Sequence, residues 1–595
     1  MVALKEGQIL GRPTNSQRVL VSYLQAKWPL YALAVLSITV ANVIQAYYPR
    51  LLGSFTDLLQ QGGMTRDRVI EYSLLLLAVG VSFGVLAGLG QYIIMRCGRR
   101  FEFVTRRKLF DHFTRLSERF YSNNGVGRML SYVMNDVTSI RESISMGINH
   151  TTNATILILS AVTMMLFGDI PLYLIAVCVL PLLAIPWIVV KFGPVIRKRS
   201  LNVQESLGRM TESAEEQFGG IRVTKKFAVE PIMTERFGAT VDRVRDNQLK
   251  LVRVSSLFGA LIPFLGTISL IISIAFGGYL TIHHRISLGN FVALTLYVRM
   301  MVNPLQQIGN VINTMQRSRA SLERINDLLA TKGDIQETEH AVARDLTQAA
   351  IRIRDLSFAY PDAEREALHD IDLFVEPGKT LGILGKTGSG KTTLMKLILR
   401  IYDPPPGTIL IGDTDVRDLT LGSLRDQIAY VPQDGFLFST TIRDNIAFYR
   451  RDSALSKVEA AAEHAQIHGS IAAFPDKFET KLGERGITLS GGQRQRTSLA
   501  RGLIKNAPIM ILDDSVSAVD AVTETRIIET LRAQRKGLTT IVIAHRISAL
   551  KHADEIVVLD EGRIVQRGTH RELLEQNGLY AELHAIQEEG KRDAN

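Results

Sequence analysis

Long apolar runs in the first half of the chain constrain its fold more than any other feature. Six segments of about 20 mostly apolar residues are each long enough to cross roughly 30 Å of hydrocarbon. They lie at about 29–48, 72–95, 150–168, 171–192, 256–281 and 289–312. The second half of the 595-residue chain carries the frequent charges of a soluble protein. We therefore expect a membrane domain of six transmembrane helices over residues 1–325, a linker over 326–345, a soluble domain over 346–585 and a polar tail over 586–595.

Basic residues are concentrated in two long loops of the membrane domain, at about 96–149 and 193–255. Because cytoplasmic loops carry an excess of Lys and Arg, both loops and both termini are predicted to lie in the cytoplasm of a multi-pass protein of the cytoplasmic membrane. This distribution also explains the formal net charge of +10 without nucleic-acid binding. The loops are rich in helix formers, so we expect the helices to continue well beyond the membrane.

The sixth apolar segment has a polar face. Its members recur at helical spacing and are Arg299, Asn303, Gln306, Asn310 and Asn313. Polar side chains in a spanning helix usually face a cavity or another protein segment. The face is therefore predicted to line a substrate pathway, with a helix–helix seam held by amides as the alternative.

A glycine-rich phosphate-binding pattern lies at 385–392, between an apolar strand and a predicted helix. Gly385, Gly388 and Gly390 permit the tight backbone path whose N–H groups point at phosphate. Lys391 would neutralise the β- and γ-phosphates, and the Thr392 hydroxyl would ligate Mg²⁺.

Two further stretches belong to nucleotide handling. The apolar run IMIL ends at Asp513, which would hold Mg²⁺ at the end of a buried parallel strand. The stretch LSGGQ at 489–493 begins a helix whose N-terminus makes a second phosphate-binding end. The chain then has two phosphate-binding sites for one nucleotide. This is explained if two subunits meet head to tail and each LSGGQ helix end faces the nucleotide on the other subunit's phosphate loop.

The chain resembles a half-transporter of the ATP-binding cassette (ABC) superfamily, of the exporter type. The resemblance rests on Tyr360 in LSFAY, the phosphate loop, Gln433 in YVPQD, LSGGQ, Asp513, SAVD at 517–520 and His545 in IAHR. GERG at 483–486 and EEQFGGIRVTKKF resemble segments that connect the cassette to the membrane domain. The resemblance implies a type IV exporter fold, an α/β P-loop NTPase domain with an α-helical signature subdomain, and ATP and Mg²⁺ as cofactors.

The resemblance also implies roles for individual residues. The nucleotide-binding set is Tyr360, Gly385, Lys386, Thr387, Gly388, Ser389, Gly390, Lys391, Thr392, Thr393, Ser490, Gly491, Gly492, Gln493 and Asp520. The metal set is Thr392, Gln433 and Asp513, and the catalytic set is Asp514, His545 and Gln433.

Asp514 departs from the family pattern, which usually has glutamate after the metal-holding aspartate. A base must come within about 3 Å of its water, so a side chain one methylene shorter predicts weak hydrolysis with intact ATP binding. The undamaged signature favours a heterodimer in which this chain completes its partner's site. The alternatives are a slow homodimer that uses Asp514 as the base and, from another functional class, an ATP-regulated channel or membrane sensor. The predicted substrates are amphipathic drug-like molecules or lipids.

Overall fold

The computed structural model describes residues 19–483, 486 and 489–592. It divides into two compact units: residues up to 115 together with 121–332, and residues 116–120 together with 333 onwards. Glu484 and Arg485 of the GERG stretch lie outside the described residues.

The first unit is entirely helical in its described part. Its helices are α1 (Val19–Gln60), α2 (Arg66–Phe113), α3 (Glu118–Ser131, of which the first three residues group with the second unit), α4 (Val137–Leu166), α5 (Leu172–Gly219), α6 (Ile221–Phe227), α7 (Glu230–Ile282) and α8 (Leu288–Ala330). Each of the six predicted spans falls in a separate long helix, except that residues 167–168 of the third span and residue 171 of the fourth lie just outside α4 and α5. Helices α2, α5 and α7 continue far past their apolar runs, as the loop composition predicts.

Four helices of the described chain are long and apolar enough to cross a membrane by length and composition: α1, α2, α5 and α7. Helices α4 and α8 hold the third and sixth predicted spans. Their sequences include polar positions such as His150 in α4 and Arg299 in α8. These two helices are therefore the ones expected to pack inside a helical bundle rather than against lipid.

Hydrogen bonds tie α1 to α8. The Asp57 carboxylate accepts from the Ser287 hydroxyl at 2.8 Å and from the Gly289 N–H at 2.6 Å, so it caps the start of α8. Further along, the buried Tyr297 hydroxyl donates to the Ala46 carbonyl at 2.9 Å. The Ser287 bond is exposed, whereas the Tyr297 bond is buried, and a buried polar group needs its partner, so the Tyr297 bond favours one register of the two helices.

The second unit contains two sheets with helices around them. Its strands are β1 (Ile351–Ala359), β2 (Glu366–Val375), β3 (Thr380–Gly385), β4 (Ile409–Ile411), β5 (Thr414–Asp415), β6 (Ile428–Val431), β7 (Ile509–Asp513), β8 (Thr539–Ile543), β9 (Glu555–Asp560) and β10 (Arg563–Gly568). Its helices are α9 (Lys391–Ile398), α10 (Leu421–Asp426), α11 (Ile442–Ile446), α12 (Leu455–His464), α13 (His468–Ala472), α14 (Gly491–Ile504), α15 (Ala521–Gln534), α16 (His570–Glu575) and α17 (Leu579–Arg592).

The larger sheet has the order β10-β9-β3-β8-β7-β6, and the smaller antiparallel sheet has the order β2-β1-β4-β5. Strands β9, β3, β8, β7 and β6 are parallel, and β7 and β8 are buried along their whole length. Asp513 pairs with Ile543 at the shared end of β7 and β8. Parallel strands present their carboxyl ends at one edge, so the loops after β3, β6, β7 and β8 meet there.

The predicted polar tail has helical backbone in its described part. Residues 586–592 belong to the last turns of α17 rather than to a separate extension. Tyr580 near the start of this helix is fully buried, and Leu583 packs against the hydrophobic core. Its apolar side chains thus lie at the start of α17, and the predicted polar tail begins within the same helix.

Candidate functional site

The loop after β3 forms the phosphate-binding backbone. Gly388 and Gly390 have φ of 86° and 99°, a left-handed region in which a Cβ is strained. A Cβ on Gly390 would also lie 2.6 Å from Leu368 Cδ2. The loop therefore needs glycine for both conformation and space, and it leads directly into the N-terminus of α9.

Lys391 is the first residue of α9, directly after this loop, and is buried. Its Nζ donates to the carbonyls of Gly385 at 2.8 Å and Lys386 at 2.7 Å. Burial lowers the pKa of Lys391, while the neighbouring Asp513 and Asp514 oppose that shift. The Lys391 ammonium is thus held at the phosphate loop with few water contacts. A bound anion would offset the cost of removing this charge from water.

Asp513 ends β7 and is only 2% exposed. Burial raises its pKa, whereas hydrogen bonds from Thr392 and Tyr430 act in the opposite direction. Tyr430 on β6 donates to Asp513 Oδ2 at 3.2 Å and was not predicted from the sequence. Thr392 and Asp513, the predicted metal ligands, therefore lie together.

Asp514 is 7% exposed and has a left-handed φ of 46°. Its N–H donates to the Ile543 carbonyl at 2.9 Å, and its carbonyl accepts from Gln495 Nε2 at 2.9 Å and from Ser517 Oγ at 3.0 Å. Its carboxylate accepts from Gln433 Nε2 at 3.3 Å, so two predicted catalytic residues touch. A non-glycine residue keeps such a strained backbone conformation only where surrounding contacts hold it, and at Asp514 the backbone hydrogen bonds do so.

Tyr360 marks the opposite side of the site. Its hydroxyl is 3.0 Å from Thr393 Oγ1, and its ring makes edge contacts with Phe358 and Tyr402 at centroid distances of 5.3 and 5.1 Å. Tyr360 is half-buried, and an aromatic ring held in this way at the pocket suits stacking on a purine.

These elements surround an open pocket of about 330 Å³. Its lining comprises Tyr360, Ala367, Thr387, Gly388, Ser389, Gly390, Lys391, Thr392, Thr393, Gln433, Asp513, Asp514 and His545. Gly385 and Lys386 contribute through the carbonyls that bind Lys391. All three predicted catalytic residues are thus brought to the phosphate loop.

The predicted signature residues do not line this pocket. Ser490 caps α14 by accepting from the Gln493 N–H at 3.2 Å, and the Gln493 side chain accepts in return from the Ser490 N–H at 2.9 Å. Gly491 and Gly492 form the first turn of α14. Asp520 caps α15, and its backbone hydrogen bond with Thr523 lowers its pKa. Ser490, Gly491 and Asp520 are exposed and are therefore accessible to a second subunit.

The predicted substrate-pathway residues are described in part. Arg299 and Asn303 are exposed and Gln306 is half-buried, while the side chains of Asn310 and Asn313 lie outside the described set. The neighbouring Gln307 lies 3.1 Å from His150 Nδ1 on α4, a polar pair that was not predicted. The sequence feature that could have indicated this pair is His150, a polar residue at the start of the third apolar segment.

The pocket fits MgATP in three respects. Gly388 faces open space, so a phosphate meets no side chain there. Lys391 and the start of α9 supply positive potential, and a hydroxyl and a carboxylate, the donor types Mg²⁺ prefers, adjoin each other at Thr392 and Asp513. When bound, MgATP would supply the cleavable phosphoryl group and its counter-ion, while Tyr360 would orient the base.

Comparisons with known proteins agree with this geometry. Residues 31–305 match the protein family described as the ABC transporter transmembrane region, and residues 368–517 match the family described as ABC transporter. A probable multidrug resistance ABC transporter ATP-binding/permease protein, YheI of Bacillus subtilis, is 34% identical over 95% of this chain and 96% of its own length. An ATP-dependent lipid A-core flippase of Syntrophus aciditrophicus is 36% identical over 82% of this chain and 81% of its own length.

A solved structure of a bacterial Atm1-family ABC exporter with ATP bound is also similar. It has a TM-score of 0.77 and 27% sequence identity, and the match covers 95% of this chain and 98% of that one. The helical unit followed by an α/β cassette is therefore the exporter arrangement. The chain belongs to the ABC transporter family and is an ATPase-coupled, membrane-spanning half-transporter of the exporter type.

Proposed function

We propose that this chain is the subunit of a heterodimeric exporter that binds ATP firmly at its own phosphate loop but cleaves it slowly. The observation that carries the proposal is how Asp514 is held. Its N–H and its carbonyl are bonded to Ile543, Gln495 and Ser517, so the backbone has little freedom to advance a short carboxylate. A misplacement of about 1 Å can lower a rate about 100-fold.

The intact signature supports the second half of the proposal. Ser490 and Gln493 cap this helix start through their own N–H groups, so the N–H groups of Gly491 and Gly492 in the first turn would meet a γ-phosphate on the partner's phosphate loop. Hydrolysis would then take place at a composite site made from the partner's catalytic motifs and this chain's Ser490. The homodimer that uses Asp514 as a slow base remains the second candidate.

The membrane half supports export of amphipathic molecules. The exposed Arg299 and Asn303 offer a charge and an amide on one face of α8. The relatives named for multidrug resistance and for lipid A-core flipping favour drug-like or lipid substrates for this chain as well. We place the cassette and both termini in the cytoplasm, below the cytoplasmic membrane, from the basic loops.

The test compares ATPase activity of the purified chain alone and together with a candidate partner half-transporter. For the lone chain we expect a low rate, a rise of about 10- to 100-fold for Asp514→Glu and little change for Asp514→Asn. In the complex, Ser490→Arg should abolish the partner-dependent activity, whereas Asp514→Asn should preserve most of it. Ser490→Thr, which keeps a capping hydroxyl, is the control for the helix start. Brisk ATPase activity of the lone chain that disappears in Asp514→Asn would overturn the assignment.

A further inference from the structure

The last turns of α17 touch the backbone at the histidine of the nucleotide pocket. The Gln587 side chain donates from Nε2 to the His545 carbonyl at 2.8 Å and accepts at Oε1 from the Ile547 N–H at 2.9 Å. The nitrogen and the oxygen of one carboxamide therefore bond to the two peptide groups on either side of Arg546. The contact joins residues 42 positions apart in the chain.

Residues 545–547 follow the end of β8 and are not part of the hydrogen-bonded sheet. Strand β8 ends at Ile543, and the Ala544 N–H makes one longer bond, of 3.3 Å, to the Ile383 carbonyl. His545 and Ile547 follow, and their carbonyl and N–H bond to Gln587. The Gln587 carboxamide thus supplies the donor and the acceptor that a neighbouring strand would otherwise supply to this backbone.

Helix α17 can hold Gln587 in place because its first half is anchored. Tyr580 is fully buried, its N–H donates to Gln566 Oε1 at 2.9 Å, and its hydroxyl lies 2.7 Å from His570 Nδ1. Leu583, one turn before Gln587, packs on the hydrophobic core. The amide is thus carried by a fixed helix rather than by a loose end.

We propose that Gln587 is a positioning residue for His545, and that α17 is a working part of the nucleotide site. His545 lines the pocket together with the residues of the phosphate loop, and a fixed backbone at His545 would keep its imidazole aligned with a γ-phosphate. Gln587 provides that hold without touching the nucleotide. The inference does not depend on which subunit supplies the catalytic base, so it goes beyond the proposed function.

The test is a double-mutant cycle on the full-length chain, with Gln587→Ala, His545→Ala and the two combined. The measured quantity is the single-turnover cleavage rate of γ-labelled MgATP with protein in excess, alongside the ATP dissociation constant. We expect Gln587→Ala to slow cleavage about tenfold with the dissociation constant changed less than twofold, and to cause no further slowing in the His545→Ala background.

Two matched variants separate positioning from folding. Gln587→Glu keeps the volume and the acceptor for Ile547 but turns a carboxylate towards the His545 carbonyl, so it should be as slow as Gln587→Ala. Glu589→Ala, at an exposed position two residues on, should cleave at the wild-type rate. An unchanged rate in both Gln587 variants, or an equal slowing with and without His545, would overturn the proposal.

The cycle is measured in the wild-type chain and in the Asp514→Glu background. If Asp514→Glu fails to speed cleavage, the proposal about the catalytic base falls. The effect of Gln587 is still measured at the slow wild-type rate, because single-turnover cleavage can be followed for hours.

Discussion

Gln495 on the signature helix α14 donates from Nε2 to the backbone carbonyl of Asp514 at 2.9 Å. Its Oε1 accepts from the Ala518 N–H at 2.8 Å, and its side chain is only 5% exposed. One buried amide therefore connects the signature helix α14 with the loop that begins at Asp514. A movement of α14 would be transmitted to residues 514–518 through these two bonds.

Loss of the Gln495 amide is expected to destabilise the cassette and slow hydrolysis. Gln495→Ala leaves the Ala518 N–H without its acceptor, which costs about 1–3 kcal/mol, equivalent to a melting temperature about 2–10 °C lower. Gln495→Glu keeps that acceptor but turns a buried carboxylate towards the Asp514 carbonyl, so it should lose at least as much stability as Gln495→Ala. Thermal unfolding of the purified chain measures the loss of stability, and an ATPase assay of the chain together with a candidate partner half-transporter measures the loss of activity. Equal melting temperatures for wild type and Gln495→Ala would contradict this role.

The two signature glycines should respond differently to alanine. A Cβ on Gly492 would lie 2.9 Å from the Ala518 carbonyl oxygen, whereas a Cβ on Gly491 meets no atom within 4 Å. Alanine favours a helix by about 1 kcal/mol, and overpacking costs about 1–3 kcal/mol. Gly491→Ala should therefore unfold at the wild-type temperature or above it, and Gly492→Ala below it. The prediction fails if the two variants unfold at the same temperature.

The cassette should lose stability as pH falls below about 6.5, and His570 should cause part of the loss. Burial lowers the pKa of His570 in the folded chain, and the neighbouring His584, Lys551 and His552 lower it further. The unfolded state then binds more protons between the two pKa values, so acidification favours unfolding in that window.

Thermal unfolding of wild type and His570→Asn between pH 7.5 and 5.5 tests this effect. The asparagine keeps a polar atom near Tyr580 but does not titrate, so its melting temperature should depend less on pH. His340→Asn, at an exposed position in the same unit, is the matched control. A pH dependence that is identical in His570→Asn and wild type would exclude the histidine as a cause.

Charge reversal at Arg299 is expected to change substrate preference. A single charge interaction near a protein surface is worth about 1 kcal/mol or more, so Arg299→Glu should change the ratio of apparent affinities for cationic and anionic substrates about 5- to 30-fold, in favour of cations. Transport of dyes of either charge into inside-out vesicles measures the ratio. Arg285→Glu, exposed between α7 and α8, controls for general charge effects. An unchanged ratio would place Arg299 outside the pathway.

Much of the cassette could be predicted because its signals are local. The glycines of the phosphate loop, the capping serine of α14 and the apolar strand before Asp513 each determine backbone conformation within a few residues. The edge where Lys391, Asp513 and His545 meet follows from parallel strand topology alone.

The supporting side chains could not be predicted in this way. Tyr430 reaches Asp513 across 83 residues, and Gln495 reaches Asp514 across 19. Neither residue stands out by type or spacing, since a tyrosine on a strand and a glutamine on a helix are ordinary surface or core residues. Their roles depend on which strand and which helix become neighbours in space.

The sequence by itself determined that the chain has a helical membrane half and an ATP-binding cassette, and that Asp514 is one methylene shorter than the usual base. Apolar length, glycine placement and the covalent reach of a side chain are properties of short segments. Only the tertiary structure decided that the Asp514 backbone is bonded on both sides and that α17 supports His545 through Gln587. Those relations arise from hydrogen bonds between residues distant in sequence, which form only when the sheet and its helices have packed.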